Sequence, residues 1–136
     1  MITIVWRGYV ESENERHAMR WVTRTAKDGS RVTAPVIAPK REYQAFVRNL
    51  ATTIMAEARR QAGIRKYRSL SLVVQCSIGP LLDGQNLLKP ICDAVERSGV
   101  LDNDRHLGHR LMLPDERHPK GETDTILLNL YELEEE

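Results

Sequence analysis

Between Ser69 and Gly99 the hydrophobic residues change their period, and that change limits the fold more than any other feature of the chain. Leu70, Leu72 and Val74 recur every second residue, which predicts a β-strand over Ser69 to Ile78, with Val73 and Cys76 adding apolar character. Gly79-Pro80 ends it. Leu87, Leu88, Ile91, Ala94 and Val95 then follow the spacing of one helical face, and Gly99 stands just beyond. Pro90 is tolerated only near a first turn, so the helix is expected from about Asn86 to Ser98, with Asn86 as N-cap and Asp83 in the loop ahead. A strand feeding an amphipathic helix predicts an α/β domain: a mixed β-sheet with helices packed on it.

The rest of the chain fits one such domain, because 136 residues suffice for one core and not for two. Ile2, Ile4 and Trp6 alternate with Thr3, Val5 and Arg7 in a first strand ending near Val10. From Glu11 to Thr25 two readings stay open. Arg16, Arg20 and Arg24 recur at four-residue steps, as on a helix, whereas Trp21, Val22, Thr23 and Thr25 favour an extended form. Asp28-Gly29 predicts a hairpin turn, with Pro35 and Pro39 marking its exit. Tyr43, Phe46, Val47, Leu50, Ile54 and Ala58 define a helix over Arg41 to Ala62, stopped by Gly63. Its other face, with Arg48, Thr52, Arg59 and Arg60, has the composition of an ordinary solvated helix surface. His106 to Leu113 and Thr125 to Leu133 read as two more strands, joined by the polar connection Pro114 to Asp124.

Composition narrows the function classes. No apolar run approaches the roughly eighteen residues of a membrane span, and Met1 to Val10 has the pattern of a strand rather than of a secretion leader, so a soluble cytoplasmic protein is expected. Cys76 and Cys92 form no CxxC pair and no disulfide framework, and are expected as small buried side chains in a reducing compartment. The net charge of +1 hides an asymmetry: Met1 to Arg68 carries +8 and Ser69 to Glu136 carries −7, part of it in the acidic tail. A basic half suits phosphates and an acidic half suits divalent cations. No nucleophile elbow, Gly-rich phosphate loop or zinc-type cysteine pair is present. His106 and His109, three apart on a strand, would point to opposite faces, which argues against a zinc site.

The candidate chemistry lies in LLDGQNLLKPICDAVERSGVLDNDRHL, where Asp83, Asp102 and Asp104 flank one helix that carries Lys89. Carboxylates on strand ends and loops can converge on a hard cation such as Mg²⁺, and a lysine near a helix N-terminus can steady charge developing on a phosphate. Asp93 has a structural reading, as a surface partner for a residue such as Arg97.

Asp83, Asn86, Lys89, Asp93, Gly99 and Asp104 match, without a gap, the signature of the RusA Holliday junction resolvases, and the chain resembles that family. Asn14 with Arg20, and Lys40-Arg41-Glu42-Tyr43 at a helix start, extend the resemblance more loosely. The resemblance implies a single RusA-like domain, a Mg²⁺-dependent endonuclease (with Mn²⁺ as a substitute) and a homodimer that acts on four-way or other branched DNA. The setting would be recombination, repair or phage DNA processing. Asp83, Asp102 and Asp104 would then be metal ligands, Asp83, Lys89 and Asp104 catalytic, and Arg16, Arg20, Arg24 and Lys89 DNA-binding. Two departures stand out. Gln85 occupies the place of the second motif aspartate, and Pro80, Leu81 and Leu82 replace the basic residues that precede the first. Asp102, two residues before Asp104, is the expected substitute for the lost carboxylate, and the N-terminal arginines for the lost phosphate contacts. The rival expectation is a RusA-fold DNA-binding protein that has lost turnover through Gln85.

Overall fold

The computed structural model describes residues 1–11, 17–80, 82–102 and 107–132; side chains at 17–20, 22 and 36–39 stand outside that description. The chain forms one small mixed α/β domain. The main sheet contains β1 (Ile2–Arg7), β4 (Leu70–Ile78), β5 (Arg110–Met112), β6 (Glu116–Arg117) and β7 (Thr125–Glu132). Its order is β1-β7-β4-β5, and β6 joins β4 further along the same edge. β7 is antiparallel to both β1 and β4, whereas β5 and β6 are parallel to β4. Two helices, α1 (Arg41–Ala62) and α2 (Leu88–Ser98), pack against each other, and α1 against β1.

The expected periods explain the layers. On β4 every second residue from Leu70 to Ile78 is buried, and Leu128 and Ile126 of β7 and Ile4 of β1 are fully buried in the same core. From the helices Leu50, Ile54, Ile91 and Val95 meet them with no exposed surface. Trp6 closes one end edge-on to Phe46, with ring centroids 5.7 Å apart. Cys76 and Cys92 are free and buried, as expected. No helix among the described residues is long and apolar enough to cross a membrane.

Several boundaries move for physical reasons. β1 stops at Arg7 rather than near Val10: Gly8 still donates its N–H to the Asp124 carbonyl in the β1–β7 register, but its φ of 131° departs from the strand conformation. Over its described part, His17–Thr25, the open segment is extended: β2 (His17–Thr25) and β3 (Arg31–Pro39) form a separate two-stranded hairpin. Its turn is held by Asp28, whose carboxylate accepts from the Ser30 N–H at 2.9 Å and hydroxyl at 2.6 Å. α1 has the expected bounds, with Gly63 at its C-cap. Asn86 is not an N-cap; it lies in a 3-10 turn, Gly84–Leu87, and α2 begins at Leu88. Of the strand expected over His106 to Leu113, the described residues 107–113 form only β5, and the connection after it contains β6; Pro114, without an N–H, separates the two. On the far edge of the sheet the Gln61 side chain accepts from the Thr3 N–H at 2.9 Å and donates to the Thr3 carbonyl at 2.6 Å.

Candidate functional site

The parallel pairing of β4 with β5 makes β4, α2 and β5 a crossover unit, and the turn that joins β4 to α2 lies at the carboxyl end of the strand. Crevices at such ends are where open α/β sheets bind ligands. Asp83 sits in this turn with an exposed side chain, and its Oδ1 accepts from the Gln85 N–H at 3.1 Å, capping the 3-10 turn.

Two residues of the polar connection hold the turn in place. The Gly84 N–H donates to Asp115 Oδ2 at 3.0 Å, and a Cβ on Gly84 would lie only 1.9 Å from Asp115 Oδ1. The approach therefore requires glycine at this position. The Arg117 guanidinium donates to the Gly79 carbonyl at 3.1 Å and to the Leu82 carbonyl, and its other nitrogen is 3.4 Å from Asp115. A carboxylate and a guanidinium thus bracket the loop that carries Asp83.

Beside this clamp a cleft of about 180 Å³ is lined by Leu82, His118, Lys120, Glu122 and Asp124, among others. His118 Nε2 is 2.7 Å from Asp124 Oδ1 and its Nδ1 is 2.9 Å from the Pro119 carbonyl. Both partners are acceptors, so the geometry favours the ring form with a proton on each nitrogen. The Pro119 carbonyl, and then the hydrogen bond and charge of Asp124, raise the His118 pKa above 6.5 against partial desolvation. Asp124 Oδ1 also accepts from the Gly79 N–H at 3.0 Å. Burial, reinforced by the charges of Asp115 and Asp124, pushes the Cys76 thiol up to about 12.

Lys89 lies in the first turn of α2, but its ammonium is 2.6 Å from Asp93 Oδ1, four residues on. Asp93 Oδ2 also accepts from the Tyr43 hydroxyl at 3.1 Å, so its structural reading stands with Lys89 and α1 as its partners rather than Arg97. Asp102 is elsewhere. Its N–H donates to the Tyr67 carbonyl at 2.8 Å, and Tyr67 pairs with Leu101 ahead of β4. Leu70–Ile78 rises about 26 Å at roughly 3.3 Å per residue, and most of that length separates Asp102 from Asp83. Asp102 thus stands by the start of β4 and Asp83 beyond its end, and the fold does not bring Asp102 beside Gln85. Asp104, Arg16 and His106 lie outside the described residues. Arg24 is exposed opposite Val32 in the hairpin, Arg20 occupies the register position of Val36, and His109 is exposed ahead of β5. Among the described residues no group of three His, Cys, Asp or Glu side chains is arranged to hold a metal ion.

Sequence reasoning missed Asp115, Arg117, His118 and Asp124. The charged run Asp115-Glu116-Arg117-His118 is visible as such, but nothing in it says that it meets Gly79 and Gly84. The chain matches no protein-family model, and no curated protein matches it.

Proposed function

We propose that the protein is a metal-dependent endonuclease of the RusA type, acting on four-way or related branched DNA. The observation that carries this reading is the placement of the Asp83, Asn86 and Lys89 run on a clamped turn at the carboxyl end of β4, at the head of a parallel crossover. Asp83 is exposed there, with Oδ1 engaged by the turn, and Lys89 stands one step inside α2. In this reading Lys89 exchanges Asp93 for a substrate phosphate and steadies charge developing on it. A homodimer that presents two such centres to a junction, and a cytoplasmic place of action, belong to the same proposal.

The oxygen donors have the right chemistry for Mg²⁺, but Asp83 and the Gln85 amide do not by themselves supply the carboxylate charge that such a site needs. The family pattern assigns the remaining carboxylate to Asp104. The separation of Asp83 from Asp102 specifically favours a second reading, in which the protein binds branched DNA without cutting it.

A labelled four-way junction incubated with the full chain in Mg²⁺ or Mn²⁺ tests both. Nicking that disappears in Asp83→Asn supports the nuclease. Binding without nicking in either metal supports the second reading, and a chain that neither binds nor nicks removes both.

A further inference from the structure

A groove on the outer surface of the helical layer, unused in the reading above, opens between α1 and the last turn of α2 and encloses about 380 Å³. Arg48 and Arg59 flank it from α1 and Arg97 from α2, while Ala51, Ala56 and Ser98 are among the small residues that line it. Among the described residues no carboxylate and no aromatic side chain lines it. All three arginines are exposed, and their guanidinium groups make no ion pair among the described residues. Arginines nearby are different: Arg60 is 2.7 Å from Glu57, and Arg110 is 3.5 Å from Glu96. The three groove arginines are therefore uncompensated among the described residues, whereas Arg60 and Arg110 beside them are paired.

The spacing suits an extended anion. Arg48 and Arg59 are separated by about 16 Å along the axis of α1 at 1.5 Å per residue. One strand of B-DNA passes about five phosphates in that distance, at 3.4 Å of axis for each. Guanidinium forks match phosphate oxygens two at a time, and small lining residues let a backbone approach the helices. A protein partner is the poorer fit, because binding hot spots on proteins are anchored by aromatic and large apolar groups, of which the described lining offers only Met55.

The groove also leads somewhere. Lys89, Asp93 and Arg97 follow one another at four-residue steps on one face of α2, so Arg97 is about 12 Å along the axis from Lys89. The carboxylate between them is already met by Lys89 at 2.6 Å and by the Tyr43 hydroxyl at 3.1 Å. When Lys89 turns to a phosphate, Asp93 keeps the Tyr43 hydroxyl as its partner, and Lys89 and Arg97 flank it on the same face of α2.

We propose that the groove between α1 and α2 seats the phosphodiester backbone of DNA through Arg48, Arg59 and Arg97, as an arm of the substrate site that continues past Lys89. The choice of DNA as ligand rests on the reading under Proposed function. In this assignment the groove, and not only the hairpin arginines, supplies sequence-independent attraction.

The test is fluorescence anisotropy of a labelled four-way junction with the full chain in EDTA, across a salt series, so that turnover plays no part. Replacing Arg48, Arg59 and Arg97 together by Gln should weaken binding at least tenfold and lower the magnitude of the log-log salt slope by about 2.7, at roughly 0.9 per phosphate contact. Arg60→Gln, on the same helix but paired with Glu57, serves as the control and should leave the slope unchanged. A triple variant that behaves like this control overturns the proposal. So does a wild-type chain that binds polyglutamate and not DNA, which would assign the groove to an acidic polypeptide. A chain that binds through the groove but never nicks DNA in metal keeps the groove and removes the nuclease.

Discussion

The carboxylate of Asp115 lies where a side chain on residue 84 would be, 3.0 Å from the Gly84 N–H and too close for any Cβ. A short edge strand and a turn far apart in sequence are thereby locked together, and the lock fixes the loop that presents Asp83.

Breaking the lock from either side should have related effects. Gly84→Ala forces the two groups apart and is expected to cost about 1–3 kcal/mol, as overpacking does. Asp115→Ala leaves the Gly84 N–H without its partner, with an expected cost of about 1–3 kcal/mol. Because both act on one contact, the double variant should lose less than the sum, with a coupling of about 0.5–3 kcal/mol in urea unfolding. Strict additivity would show that the two residues are not energetically linked.

His118 gives a pH dependence of known sign. Its pKa is raised in the folded state by the Pro119 carbonyl first and by Asp124 after it. The stability it contributes is fully present below the unfolded pKa of about 6.5 and is lost as pH rises through the higher folded value. Thermal melting should therefore fall as pH is raised from about 6.5 through the folded pKa, and His118→Gln should flatten that part of the profile. Equal slopes in wild type and variant would mean that the imidazolium contributes nothing.

If the chain cuts DNA, its carboxylates should differ sharply. Asp83→Asn is expected to abolish nicking while junction binding persists, because a neutral isostere removes charge and little volume. Asp102→Asn should be nearly silent, since Asp102 is bonded through its backbone to Tyr67 at the opposite end of β4. Gln85→Asp should raise the rate and lower the Mg²⁺ needed, by restoring charge beside Asp83. Loss of nicking in Asp102→Asn equal to that in Asp83→Asn would overturn this division, and would imply a centre shared between two copies of the chain.

Cysteine chemistry offers a check on the core. Burial first, and the charges of Asp115 and Asp124 after it, push the Cys76 thiol up to about 12, and burial also raises the Cys92 thiol. Neither should react with iodoacetamide at neutral pH until the chain opens, so alkylation should track unfolding in a denaturant series. Asp115→Asn should leave Cys76 protected, because its carboxylate is the lesser cause. Rapid labelling of the native protein would mean that the end of β4 is open.

What could be read from the sequence was local. α1 has the expected bounds, Arg41–Ala62, because an unbroken apolar stripe and Gly63 define it without outside help. Asp28-Gly29 predicted the hairpin for the same reason. The start of α2 was misread because Asp83 offers its carboxylate to the Gln85 N–H, and this local acceptor draws Gly84–Leu87 into a 3-10 turn. β6 went unseen because a two-residue strand has no period of its own and takes its register from Ser77 and Ile78. The motif pointed to Asp83 and Lys89, but not to the bond between Lys89 and Asp93 or to the partners Asp115 and Arg117. The place of Asp102 depends on α2 carrying the chain back along β4, a fact of topology that residue spacing does not contain.

The Gln61 amide beside Thr3 also affects how the molecule behaves in a crowd. An outer strand offers unpaired N–H and C=O groups on which a second chain can build, and this glutamine occupies one such pair on β1 as a neighbouring strand would. The opposite margin is broken by Pro114 between β5 and β6 and carries the charges of Arg110, Glu116 and Arg117. Both ends of the sheet are thus poor templates for strand addition, so protection from edge-to-edge aggregation is built into the same side chains that finish the fold.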